Sequence, residues 1–206
     1  MRESSLSLML EDFGERVASV WSELRPTTRG LVERALQISS TSGAPGRNTP
    51  YDARADLELS RLLAALDELR LAEAGALDEM KGNRLQRIAD TCAAVLQEKT
   101  QSAEVFSQLV QRAEAQRDYA RIDSLADELM RFAPSETCEL ARSQNNVVRA
   151  LASEALAQLP TAALFALLSD PVDSEVARQA LRRQAVDYAS EEAREIVAAL
   201  DAVEEL

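Results

Sequence analysis

Leu59, Leu62, Leu63, Leu66 and Leu69 recur at spacings of three, one, three and three residues, a stripe that an α-helix brings to one face. The same spacing returns along the chain. It joins Phe13, Val17, Val20, Trp21 and Leu24, then Leu31, Val32, Ala35 and Leu36, then Leu85, Ile88, Ala89, Cys92, Val95 and Leu96. No run alternates apolar and polar side chains as a half-buried strand would. Apolar residues are 46% of the chain, enough to bury a core, and most are the strong helix formers Ala and Leu. The expected fold class is therefore all-α: antiparallel helical hairpins, arranged as an α-solenoid-like array or an irregular helical bundle.

Turn residues divide the pattern. Residues 5–25 read as a first helix stopped by Pro26, with Thr27 or Thr28 capping a second over 28–39. The stretch from Ser39 to Pro50 concentrates Ser, Thr, Gly, Pro and Asn and offers nothing to bury, so 40–52 reads as a linker or loop and the first site of proteolysis. The expected organisation is an N-terminal helical pair (1–39), that linker, and a helical-hairpin domain (53–206). Gly43 and Gly46 match no phosphate-binding spacing. The near copies Ala65-Leu66-Asp67-Glu68-Leu69 and Ala76-Leu77-Asp78-Glu79-Met80 lie eleven residues apart and would show one helix face, with Gly82-Asn83 as the stop.

Shorter helices follow. The expected elements are 102–116; one capped by Asp118 with Tyr119, Ile122, Leu125, Leu129 and Phe132 inward, stopped by Pro134; one opened by Ser135; then 144–158, 161–168, 174–188 and a last helix opened by Ser190, Glu191 and Glu192. Two stretches resemble helical-repeat families. Residues 103–136 resemble one tetratricopeptide repeat: Phe106 and Leu109 stand at its Trp and Leu positions, Tyr119 follows the inter-helix turn and Pro134 closes the unit. Val110, Ala113, Ile122 and Leu129 depart from the small or aromatic residues of that pattern. Residues 160–188 resemble a HEAT-type hairpin, with Leu164, Leu167 and Leu168 before Ser169-Asp170-Pro171 and then Asp173 through Leu181. Those resemblances imply stacked helix pairs that bind other proteins.

Composition removes most chemistry. The chain has no histidine, which excludes Ser-His and Cys-His nucleophiles and histidine-bound zinc or iron. Two cysteines, Cys92 and Cys138, cannot close a four-thiolate site and sit among apolar neighbours. Asp67/Glu68 and Asp78/Glu79 would lie about 16 Å apart on one helix, too far for a single ion. Asp170 and Asp173 flank a turn that suits capping better than calcium. No cofactor, no metal and no catalytic constellation is expected, and the chain is not expected to be an enzyme. The near absence of lysine reads as the coding bias of a GC-rich bacterium.

The formal charge is −12, and residues 151–206 hold eleven acidic against four basic side chains. An acidic surface repels nucleic acid and anionic lipid, so neither is an expected partner. With no signal-like opening and no long apolar run, a cytoplasmic protein is expected. The leading functional expectation is a non-catalytic protein-interaction, scaffold or regulatory protein whose partner is another protein with a basic segment. The other is a helical bundle that senses a small molecule. The candidate partner surface is Glu175, Asp187, Glu191, Glu192 and Glu195, with Trp21 as a possible aromatic anchor.

Overall fold

A computed structural model describes residues 10, 12–39, 52–73 and 78–204. Among them are eleven α-helices, one 3₁₀ turn and no strand, so the fold is all-α. The chain divides into two compact units, Met1–Thr100 and Gln101–Leu206. The boundary placed at 52/53 from sequence thus falls inside the first unit. The linker expected at 40–52 lies outside the described residues except for Asp52.

The first unit holds α1 (Glu15–Glu23), α2 (Pro26–Ser39), α3 (Ala53–Ala72) and α4 (Glu79–Lys99). Helices α3 and α4 form a hairpin, α1 packs on α3, and α2 packs mainly on α4. The first two helices therefore dock on the next two instead of standing apart. Leu59, Leu62, Leu63 and Leu66 of α3 are wholly buried, as the leucine stripe predicts.

Several boundaries differ from the sequence reading. Helix α1 starts only at Glu15, because Gly14 at its N-cap takes φ +96°, a conformation that side chains with a Cβ rarely adopt. Pro26 begins α2 instead of merely ending α1; at the first helical position its missing N–H costs nothing. Gly82-Asn83 is no stop, since α4 runs through both. Asp78 caps α4, accepting from the Lys81 amide at 2.8 Å, so Glu79 and Met80 of the second copy begin α4 while the first copy lies in α3, and the two share no single helix face.

The second unit holds α5 (Ala103–Gln116), α6 (Tyr119–Glu128) with a 3₁₀ turn at Leu129–Arg131, α7 (Pro134–Ala141), α8 (Asn146–Gln158), α9 (Thr161–Leu167), α10 (Ser174–Asp187) and α11 (Glu191–Glu204). Three hairpins follow in order: α5/α6, α7/α8 and α9/α10. Their first helices pack in succession, α5 on α7 and α7 on α9. Their second helices do the same, the 3₁₀ turn on α8 and α8 on α10, and α11 closes on α10. Cys138, Leu156, Leu164, Ala180, Leu181 and Ala193 form the core at the C-terminal end.

Four side chains cap helices of this unit, Asp118 and Ser190 as expected and Ser102 and Asn145 in addition. Ser102, Asp118, Asn145 and Ser190 accept from the amides of Val105, Arg121, Val148 and Ala193. Two expectations fail. Pro134 opens α7, so Ser135 does not cap it. Tyr119, at the first position of α6, is 68% exposed instead of inward, because Ile122 and Leu125 take the buried stripe.

Candidate interaction surface

Trp21 is buried at 3% exposure within the first unit, beside Val17 on the inner face of α1. It offers no exposed anchor, which corrects its place among the partner-surface residues. The helical stripe that made it conspicuous is a core stripe.

The acids are outside. Glu175 and Asp187 are exposed near the two ends of α10, and Glu191, Glu192 and Glu195 are exposed in the first turns of α11. They are not equivalent. Glu175 accepts from the Gln179 amide at 3.0 Å, and Asp187 accepts from Arg183 Nε at 3.1 Å. Glu191, Glu192 and Glu195 form no salt bridge among the described residues, and their charge faces solvent at the positive end of the α11 dipole. The basic pair Arg182-Arg183 is divided between helices: Arg182 reaches Asp201 of α11 at 2.9 Å, while Arg183 turns toward α8.

Sequence reading missed the hub on α8. Glu154 accepts from Arg183 Nη2, from the Tyr188 hydroxyl at 2.5 Å and from Gln158 Nε2 at 3.1 Å. The Tyr188 hydrogen bond, then that of Gln158, holds the Glu154 carboxyl below its ordinary range, and the same bond raises the Tyr188 phenol. Nothing local marks Glu154, which is 29 residues from Arg183 and 34 from Tyr188. A charged residue on the outer side of a short helix carries no periodic signal.

Beside this hub a groove of about 260 Å³ runs between α8 and α10. Arg149 and Ser153 of α8 face Val176, Gln179 and Arg183 of α10 across it, above Leu156. Two further surface grooves, of about 300 and 400 Å³, lie against α1–α3 and on α4.

The turn before α10 is a clasp. Asp170 accepts from the Val172 amide at 2.8 Å, and buried Asp173 accepts from Arg142 Nη1 at 2.7 Å instead of capping α10. Asp173 thus holds the end of α7 to the α9–α10 turn, while Asp170 braces the turn itself. Cys138 lies beneath, its thiol pushed up to about 11 by burial and then by Asp173, with Arg142 opposing. A thiol held protonated at neutral pH is no nucleophile. Cys92 and Cys138 are both buried, and neither is in a disulfide.

No group of three or more potential ligands among the described residues is placed to hold a metal ion. No single described helix is long and apolar enough to cross a membrane; α8 and α9 reach that length and composition only together, across a 115° bend. Comparison with family models, curated proteins and solved structures finds no match for this chain.

Proposed function

We propose that this chain is a non-catalytic protein-binding helical array whose second unit presents an acidic surface, built by α10 and α11, to a basic segment of another protein. The observation that carries the reading is the row Glu191, Glu192 and Glu195, exposed and without a salt-bridge partner among the described residues, next to Glu175 and Asp187 on the preceding helix. Inside the chain the charge of that row is met by the α11 dipole and by no salt bridge among the described residues. Val186, 78% exposed, and half-exposed Tyr188 add apolar contact area at the C-terminal end of α10. Successive packing of like helices in three hairpins supports reading the second unit as a tetratricopeptide- or HEAT-like stack, an architecture suited to broad docking surfaces. Two buried cysteines outside any disulfide agree with a cytoplasmic setting.

The test is binding of a partner recovered from the native host, measured at low and high salt. Screening over about 8 Å at physiological ionic strength weakens association that depends on surface charge. The double reversal Glu191→Lys/Glu192→Lys is expected to slow association and flatten the salt dependence while leaving the helical circular dichroism unchanged. Affinity indifferent to both salt and reversal would assign these acids to solubility alone.

A further inference from the structure

Arg149 and Arg183 are the only charged residues that line the groove between α8 and α10. Arg149, Ser153 and Leu156 stand at i, i+4 and i+7 of α8, and Val176, Gln179, Ala180 and Arg183 at i, i+3, i+4 and i+7 of α10, so each helix turns one stripe toward it. The two guanidinium groups differ. Arg183 is met by Glu154 and by Asp187, both outside the lining. Arg149 donates from Nη1 to the Ser143 carbonyl at 2.7 Å and from Nη2 to Asn146 Oδ1 at 2.5 Å, and it makes no salt bridge among the described residues. Both acceptors are neutral, so they orient the guanidinium and leave its charge and its other N–H donors unmatched. One turn on, the half-buried Ser153 hydroxyl has no hydrogen-bond partner among the described residues. Side chains at i and i+4 are neighbours on a helix surface, so this guanidinium and this hydroxyl can converge on one group. Glu175, at the head of α10, is engaged by Gln179 and does not line the groove. Leu156, Val176, Ala180 and Ala141 make the rest of the lining apolar.

From this arrangement we propose that the groove binds a small aliphatic monocarboxylate, whose carboxylate accepts from Arg149 and from the Ser153 hydroxyl and whose alkyl chain lies over Leu156, Val176 and Ala180. A planar carboxylate matches the guanidinium fork. One unmatched cation balances one anionic charge, whereas a dianionic phosphate would bring a second charge to a chain already at −12. An extended peptide would bring a backbone N–H and C=O at every residue, and the apolar part of the lining offers them no partner. The volume of about 260 Å³ lies below the range usual for drug-sized ligands and suits a short chain. Such a site gives the array a small-molecule input separate from the acidic face of α10 and α11, so either can fail alone.

The test titrates the full chain with hexanoate and follows backbone amide shifts by nitrogen–proton correlation NMR. Saturable shifts are expected in residues 149–156 and 176–183. Acetate, which lacks the chain, and hexanamide, which lacks the charge, should each bind about tenfold or more weakly. Arg149→Gln is expected to weaken hexanoate by about the same factor. Because that substitution also releases the Ser143 carbonyl, Ser153→Asp serves as the second variant. It places a carboxylate one turn after Arg149 and is expected to abolish the shifts while the circular dichroism stays helical. No saturable shift, acetate or hexanamide binding as well as hexanoate, shifts centred elsewhere in the chain, or shifts indifferent to both variants overturns the proposal. So does a groove that ignores hexanoate but is saturated, through Arg149, by a terminally blocked Ala-Ala-Glu-Ala-Ala peptide: that result would make it a docking site for an acidic protein segment.

Discussion

Arg25 sits in the turn between α1 and α2 and ties two distant acids together. Its Nη1 and Nη2 donate to the two oxygens of Asp52 at 3.0 and 2.7 Å, and its Nε donates to Glu58 Oε1 at 2.7 Å. Asp52 also accepts from the Ala55 amide at 2.9 Å, so one carboxylate caps α3 and holds the α1–α2 turn. The hydrogen bonds from Arg25 and then from Ala55 hold its pKa well below the usual carboxylate range. A depressed folded-state pKa means that stabilisation is complete above the unfolded value, about 4, and is lost as pH falls through the folded one. Asp52→Asn keeps a capping oxygen but removes the charge. It is expected to lower the melting temperature at pH 7, and the gap to wild type should shrink steadily below about pH 4. A constant gap from pH 7 to pH 2 in thermal melts would assign no ionic part to this contact. None of this network is legible in sequence, since the partners lie 27 and 33 residues apart.

At the scale of the element, two polar caps, Asp118 and Ser190, were legible in the sequence, while Ser135 and Asp173 do not cap α7 and α10. Asp118 and Ser190 act within three residues of the amides they satisfy, so the local sequence contains the whole interaction. Pro26 and Pro134 serve equally as an end or as a first helical residue, and only the path of the chain chooses between them. Gly82 shows the same ambiguity. It lies one turn into α4, where an added Cβ would meet nothing within 4 Å. Since a helical glycine costs roughly 0.5–1 kcal/mol relative to alanine, Gly82→Ala is expected to raise stability by about that amount in urea unfolding. Destabilisation would mean that the break read at Gly82-Asn83 is needed in solution. Arg117 ends α5 in the left-handed conformation at φ 55°, a position where glycine is the usual choice and where sequence gave no hint.

At the scale of the molecule, each unit owns a core: Trp21 is buried in the first, and Leu164 is wholly buried in the second. Leu164→Ala should cost about 2–5 kcal/mol and Trp21→Ala about 3–5 kcal/mol. Native-state hydrogen exchange should show the damage confined by unit. Leu164→Ala is expected to speed exchange of the slowest amides in α7–α10 while sparing α3 and α4, and Trp21→Ala to do the reverse. Uniform acceleration of both halves by either variant would show one cooperative body instead of two.

Sequence alone determined the all-α class, most helical cores and the acidity of the C-terminal quarter, because helical periodicity and charge are properties of neighbours along the chain. Leu59 through Leu66 had one face to bury in any all-α fold, and the absence of histidine excluded its chemistry in every fold. Tertiary structure decided the rest. It set the unit boundary at Thr100 instead of residue 52, it put Trp21 in a core, and it brought Glu154, Arg183, Asp187 and Tyr188 to one place. An amphipathic helix states that one face is buried but not which helix covers it. A charged residue on the outer face has no partner until the packing of α8 against α10 supplies one.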